Sequence, residues 1–224
     1  MVKREILISI TGRHEKDWKS KLKDIEKLKI KRIALFLEIF SKAQRKKIYE
    51  ALLDSHIKEI PLVHIRNDMD KWELEFLVKN FKSKYLTIHE SSFNNLKEWK
   101  GLHKKLFLEM NYDNKVFKNS KVEKIGGFCI DLSHFKASLA RWTHDFEYVT
   151  KKENIHKYFK CNHINGYSKS WKKDLHTVRS LKEFDYLKTL PKFIFGKVIA
   201  IETFNGISDQ LKFKKYLTKI LRKI

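Results

Sequence analysis

Residues 126–151 read GGFCIDLSHFKASLARWTHDFEYVTK, and this stretch decides the predicted fold class. Its first part is a continuous apolar run through Phe128, Cys129 and Ile130, which is typical of a strand buried on both faces of a sheet. Its second part is amphipathic with a helical period. A strand followed directly by a helix is the repeating unit of a parallel sheet with helical crossovers.

The same unit recurs along the whole chain. Each apolar run is followed by an amphipathic stretch, except that only a short, weakly helical link follows the fifth run. Eight such units favour an α/β protein with one compact (β/α)₈ TIM-barrel domain over residues 1–224, and an open doubly wound sheet is the alternative. The predicted strands are 5–11, 32–40, 59–65, 85–90, 105–111, 127–133, 160–165 and 197–204. The predicted helices are 15–29, 41–56, 70–81, 92–102, 136–151, 177–190 and 208–223.

Composition and charge permit a polyanionic partner without requiring one. The 224 residues include 49 Lys and Arg against 27 Asp and Glu, which gives a formal net charge of +22. Clustered cations bind nucleic acids by releasing counterions from the phosphates. A general compositional bias toward Lys would produce the same charge. The hydrophobic content of 42%, with only seven Gly and two Pro, indicates a folded globular domain.

Neither a membrane span nor a disulfide is predicted. No apolar run approaches the roughly 20 residues that cross a bilayer, and the N-terminal stretch MVKREILISI is too short and too mixed for a signal peptide. We therefore expect a cytoplasmic protein. Cys129 and Cys161 lie inside apolar runs without metal-type spacing, which favours buried free thiols.

Imidazole and carboxylate side chains gather where the predicted strands end. In a barrel these ends form the face that carries the active site. A single His at such a position is more often a hydrogen-bonded rim residue, but a large set of ionisable groups at one mouth requires cations between its members. Imidazole and carboxylate ligands without thiolates suit Zn²⁺ or Mn²⁺. The candidate metal ligands are His64, His89, Glu109, Asp131, His134, His163, Asp174, His176 and Glu202.

Four stretches carry a resemblance to a known superfamily. LFLEMN (106–111), GFCIDLSHF (127–135), NHINGYSKSWKKDLH (162–176) and IAIETF (199–204) resemble the strand-end motifs of the xylose-isomerase-like TIM barrels. Within that superfamily the pattern is most similar to endonuclease IV (AP endonuclease family 2). The most specific parts are the Asp-x-x-His and the His followed by Asp-x-His. The resemblance extends from about His64 to Glu202.

The resemblance implies a centre of up to three zinc ions. One carboxylate would bridge the first two ions, and the third ion would have its own ligands. The implied groups are His64, His89 and Glu109 for the first ion; Glu109, Asp131, His163 and Glu202 for the second; and His134, Asp174 and His176 for the third.

The activity implied by this resemblance is cleavage of DNA at abasic sites by a metal-dependent hydrolase. Glu109, as the bridging carboxylate, would orient or deprotonate the attacking water. Lysines near the rim would contact phosphates. These lysines are Lys136, Lys169, Lys172 and Lys173.

Two other functions remain open at this point. The superfamily also includes sugar and sugar-phosphate isomerases and epimerases, in which one Mn²⁺ or Mg²⁺ ion would bind the second group and Glu109 and Glu202 would act as the acid and base pair. A binding module that retains the site without activity is the third alternative. The nuclease is favoured because His64, His89 and Asp174 have no role in the isomerase.

Overall fold

A nearly closed parallel sheet lies at the centre of the computed structural model, which describes residues 4–151 and 154–224. The first three residues of the N-terminal stretch quoted above lie outside this description. Nine strands form the main sheet, and β9 and β10 form a separate antiparallel hairpin. The strands are β1 (Glu5–Leu7), β2 (Ser9–Ile10), β3 (Arg32–Phe36), β4 (Glu59–His64), β5 (Tyr85–His89), β6 (Leu106–Glu109), β7 (Gly127–Asp131), β8 (Phe159–Ile164), β9 (Gly166–Ser168), β10 (Lys173–Leu175) and β11 (Val198–Ile201).

The two short strands at the start of the chain bring the edges of the sheet together. β1 pairs in parallel with β11, and β2 pairs in parallel with β3. Only Ile8 separates β1 from β2, so one short stretch of chain connects β11 to β3. The order β1-β11-β8-β7-β6-β5-β4-β3-β2 confirms the predicted α/β class and is consistent with a TIM-like barrel.

Six α-helices cover the sheet in the part of the chain that the structure describes. The N-cap of α2 is Ser41, whose side chain accepts a hydrogen bond from the Gln44 backbone N–H. Asp131 caps α4 in the same way, and this helix therefore begins directly where β7 ends. The helices are α1 (Glu15–Lys27), α2 (Lys42–Leu53), α3 (Lys71–Phe81), α4 (Leu132–Leu139), α5 (His144–Thr150) and α6 (Ile207–Leu221).

Three predicted helices differ in the structure. The stretches 92–102 and 177–190 form 3₁₀ helices instead, at Glu90–Trp99 and Leu181–Thr189. A 3₁₀ helix rises about 2.0 Å per residue against about 1.5 Å in an α-helix, so it spans a crossover with fewer residues. The predicted helix 136–151 is two helices, because Trp142 has a φ of 51° and Thr143 caps the second.

The core has two layers, as the alternation of side chains along each strand requires. A larger cluster lies between the sheet and its helices, and a smaller one fills the inside of the sheet. Cys129 and Cys161 belong to the inner cluster and are free thiols, as predicted. The inner cluster consists of Leu7, Ala34, Phe36, Leu62, Phe107, Cys129, Cys161, Val198 and Ala200.

No helix within the described residues is both long and apolar enough to span a membrane.

Candidate metal centre

All of the predicted metal ligands lie together at the carboxyl ends of the strands. The last residues of β4, β5, β6 and β7 are four of them, and the others lie on α4, β8 and β10 or directly after β10 and β11. They form three groups, in each of which one ligand atom per residue lies within 4.8 Å of the others. The groups are His64, His89 and Glu109; Glu109, Asp131, His163 and Glu202; and His134, Asp174 and His176.

Glu109 belongs to two of these groups through a single oxygen atom. Its Oε2 lies 3.0 Å from Nε2 of His64 and 2.9 Å from Nδ1 of His163. Each of the three side chains is at most 3% exposed. A carboxylate in this position is suited to bridge two cations, because its lone pairs face both imidazoles.

Several buried atoms of these groups have no hydrogen-bond partner among the described residues. They are Nδ1 of His89, Oε2 of Glu109 and Nδ1 of His163, which lies close to Glu109 without hydrogen-bond geometry. Buried polar atoms without partners are rare in folded proteins and call for an explanation such as an ion. Imidazole nitrogens with carboxylate oxygens match the ligand preference of Zn²⁺, so the residues fit the predicted metal.

Asp131 is held in place by both of its carboxylate oxygens. Oδ1 accepts hydrogen bonds from the backbone N–H groups of Ser133 and His134, each at 2.8 Å, and from the Ser133 hydroxyl. Oδ2 accepts from Nδ2 of Asn165 at 2.9 Å, and the same amide lies 3.4 Å from Oε2 of Glu202. Asn165 therefore orients two predicted ligands of the second group, a role that its sequence motif did not reveal.

The third group is assembled by the hairpin of β9 and β10. Oδ1 of Asp174 lies 3.5 Å from Nε2 of His134, and Oδ2 lies 3.2 Å from Nε2 of His176. The ring of Phe204 stacks on His176 with 5.2 Å between the ring centroids, and the Arg13 guanidinium lies over the Phe204 ring, 4.6 Å from its centroid. This group is more exposed than the other two, with His134 and His176 about a third accessible.

Two further side chains support the imidazoles of the buried groups. Oε2 of Glu38 lies 3.0 Å from Nδ1 of His64, and Oγ1 of Thr87 lies 3.3 Å from Nε2 of His163. Such partners fix the orientation and tautomer of a metal-binding imidazole. Glu38 could have been recognised from the sequence as a candidate site residue, because it is the one charged residue in the apolar run LFLEIF of residues 35–40.

Burial and the facing charges shift the pKa values of these groups in opposite directions. Burial lowers the pKa of His64, but the carboxylates of Glu38 and Glu109 outweigh it and raise this pKa well above its usual range. Burial raises the pKa of Glu109, but His163 and His64 outweigh it and hold this pKa well below its usual range. Burial raises the pKa of Glu202 to about 7. Without a cation, the raised pKa favours a protonated His64, whereas burial and the neighbouring His64 lower the pKa of His89.

A basic groove of about 950 Å³ adjoins the third group. Two of the predicted phosphate-binding residues, Lys169 and Lys173, line it, whereas Lys172 is exposed on the same hairpin and Lys136 is half-buried on α4. The exposed ring of Trp171 also lines this groove. Three of its cations, Arg13, Arg179 and Lys182, are not among the predicted phosphate-binding residues. The cations that line the groove are Arg13, Lys169, Lys173, Arg179 and Lys182, beside the predicted metal ligands Asp174 and His176 and the acidic Glu183 and Asp185.

No protein-family model matches the chain, and no curated protein matches it in sequence.

Proposed function

We propose that this protein is a metal-dependent phosphodiesterase that resembles endonuclease IV and cleaves DNA at abasic sites. The observation that carries this proposal is the arrangement of the predicted ligands in three groups, of which the first two share Glu109. A sugar isomerase with one ion would use only the second group. It would leave His64, His89 and Asp174 without a function, although all three lie in the clusters.

Zinc ions bound by the three groups would supply a nucleophile from water and neutralise the charge that develops on a phosphodiester. Two carboxylates of the chain would activate the water and transfer the proton. Glu109 is 3% exposed and would orient or deprotonate the attacking water from the buried side of the site. Glu202 is 12% exposed, so its carboxylate would be nearer to the substrate and suited to proton transfer at the leaving oxygen.

The basic groove supports a polymeric substrate with several phosphates. Its cations adjoin the third group, where Asp174 and His176 form part of the wall. Lysine and arginine contacts to successive phosphates would position the backbone without reading sequence. The ring of Trp171 is 70% exposed and would offer a stacking surface to a base next to the lesion.

Metal content and cleavage together test this function. The protein is purified without chelator, offered zinc and manganese, desalted, and analysed for metal per chain. It is then incubated with a duplex that carries one abasic-site analogue, and with the undamaged duplex as a control. We expect close to three zinc ions and a single nick beside the lesion.

A His89→Gln variant tests one of the predicted ligands in the same experiment. It removes one of the two imidazoles of the first group and keeps a neutral polar side chain, so the metal content should fall by about one ion and cleavage should be lost. One manganese ion, no nick, and unchanged metal content in His89→Gln would contradict the proposal. That result would favour the isomerase, to be tested on sugars and sugar phosphates.

A further inference from the structure

A fourth cluster of carboxylates lies apart from the three groups of the candidate metal centre. Glu90 is the first residue of the 3₁₀ helix after β5, Asp113 lies in the loop after β6, and Asp145 lies in the first turn of α5. One carboxylate oxygen of each lies within 4.8 Å of the others. Three segments that are distant in sequence therefore converge on one point.

Two of these carboxylates are buried, and each has one oxygen without a partner. Glu90 is 1% exposed and Asp145 is 0% exposed. Oε2 of Glu90 accepts a hydrogen bond from Asn111, and Oδ2 of Asp145 accepts one from the Asn114 backbone. Oε1 of Glu90 and Oδ1 of Asp145 have no hydrogen-bond partner among the described residues. One oxygen of each carboxylate is thus fixed by the loop, and the other is left for a ligand.

No basic side chain compensates this cluster within residues 4–151 and 154–224, where no Lys or Arg forms an ion pair with the three carboxylates. The absence of such an ion pair is unexpected, because a chain with a formal net charge of +22 contains many Lys and Arg side chains. A buried carboxylate without a counter-charge is strongly disfavoured as an anion, so it either takes up a proton or binds a cation; burial and the other two carboxylates raise the pKa of Glu90 to about 8.

The chemistry of the cluster selects the kind of cation. Its candidate ligands are carboxylate oxygens alone, with neither imidazole nor thiolate, in contrast to the nitrogen-rich groups at the strand ends. Ca²⁺ and Mg²⁺ prefer such oxygen ligands and complete their coordination with water. Asp113 is exposed, so water can reach the cluster from its side.

We propose that Glu90, Asp113 and Asp145 form a separate site for a hard divalent cation, Ca²⁺ or Mg²⁺, that fastens the loop of residues 110–121 to α5. This loop has no regular secondary structure in the described chain. It also carries Tyr112, whose ring lies 6.1 Å from that of His134. A cation at the cluster would therefore also steady one wall of the candidate metal centre.

Terbium luminescence and thermal unfolding test this site. Tb³⁺ substitutes for Ca²⁺ at oxygen sites and is sensitised by a nearby aromatic ring, for which Tyr112 is placed. The protein is titrated with Tb³⁺ before and after incubation with zinc, and Ca²⁺ or Mg²⁺ is then added to displace it. We expect saturable luminescence that zinc does not remove and that one of the two ions reverses. The ion that reverses it should also raise Tm.

Three variants and a control separate this site from other effects. Asp145→Asn and Glu90→Gln keep the shape of each side chain, and Asp113→Asn alters only an exposed residue, so this third variant should fold normally. Each should weaken Tb³⁺ binding at least tenfold and abolish the rise in Tm. Glu50→Gln, an exposed carboxylate on α2, should change neither.

Unchanged Tb³⁺ binding in Asp113→Asn and Asp145→Asn would overturn the proposal, because the ion would then bind elsewhere. Absence of luminescence and of any Tm response in the unmodified protein would also overturn it, and would indicate that protons neutralise the cluster. Neither outcome depends on phosphodiesterase activity, so the two proposals can fail separately.

Discussion

Oε2 of Glu38 lies 3.0 Å from Nδ1 of His64, on the opposite side of the ring from Glu109. A neutral imidazole that donates Nδ1–H to a carboxylate keeps the lone pair on Nε2, the nitrogen that faces Glu109. Glu38 therefore decides which nitrogen of His64 is available to a metal.

Replacement of Glu38 should weaken zinc binding without removing a ligand. Glu38→Ala should lower the affinity of the first group by about 10-fold to 100-fold, because the ring loses its orienting partner. Glu38→Gln keeps an acceptor oxygen and should lose less. Competition with a chromophoric chelator measures both. Equal affinity in all three proteins would show that Glu38 does not orient His64.

Zinc binding to the third group should release protons. Burial lowers the pKa values of His134 and His176, but the neighbouring carboxylates outweigh it and raise them to about 10 and about 9. Both rings are therefore protonated at pH 7 before metal binds, and ligation requires their neutral forms. About two protons should leave per ion, and affinity should rise by about 100-fold per pH unit between pH 6 and 8.

Proton release can be followed with an indicator dye in weakly buffered solution. Asp174→Asn removes the carboxylate that faces both rings, so fewer protons should be released from this variant. Release close to zero in the unmodified protein would mean that the imidazoles are already neutral.

Cations of the groove should contribute to DNA binding, and a neighbouring lysine should not. Lys169→Gln and Lys173→Gln should each weaken binding and reduce the slope of log affinity against log salt by about 1, since each removes a phosphate contact. Lys172→Gln is the matched control, because Lys172 is exposed on the same hairpin and does not line the groove. Binding titrations between low and moderate salt measure the slope. Identical slopes in all three variants would contradict the proposed path of DNA.

The buried ion pair between Arg45 and Glu73 should be important for stability. Nε and Nη2 of Arg45 donate to the two oxygens of Glu73 at 2.8 and 2.9 Å, and the Tyr49 hydroxyl donates to Oε2 at 2.8 Å. Glu73→Gln leaves the buried guanidinium with only the half-exposed Asp68 as a counter-charge, 3.1 Å from Nη1, and should destabilise the fold by about 3–5 kcal/mol.

Urea unfolding measures this loss, and metal content serves as the control, which should not change. The double variant Arg45→Met with Glu73→Leu removes both charges and should be less destabilised than Glu73→Gln alone. A smaller loss in the single variant would mean that the partners the guanidinium already has at Nη1, Asp68 and the Phe40 carbonyl, compensate its charge.

Lys21 should make stability depend on pH. Its ammonium donates to the Thr203 carbonyl at 2.8 Å, and burial lowers its pKa to about 7 although Asp17 opposes the shift. The unfolded chain, with an ordinary lysine pKa near 10.4, therefore binds more protons between about pH 7 and 10. Stability should rise with pH in this window, by at most about 1.4 kcal/mol per pH unit.

The difference between the unmodified protein and Lys21→Met isolates this contribution. Urea unfolding at several pH values between 7 and 9.5 should give a shallower rise in the variant. Parallel curves for the two proteins would show that Lys21 is not the responsible group.

Much of the fold could be predicted because its strands are buried on both faces. Such strands form apolar runs, and a polar residue at the end of a run, such as His64 or His89, marks the rim. The pattern could not separate α-helices from 3₁₀ helices, since both bury residues three apart. The hairpin of β9 and β10 was missed because strands of three residues have too little alternation to recognise.

Residues that act on other side chains were harder to predict than the ligands themselves. Asn165 and Glu38 gain their roles only from partners on other strands. The cluster of Glu90, Asp113 and Asp145 depends on the path of a loop with no periodicity, and a sequence pattern carries no information about that path.

The seam at β1 and β2 has a consequence for synthesis on the ribosome. The edge of β1 obtains its partner only when Val198–Ile201 has been translated, because these residues form β11. Until then the nascent chain has an unpaired strand edge, which is prone to aggregation or to capture by chaperones. Glu202 follows directly, so the second group of predicted ligands also becomes complete only after β11 has been translated.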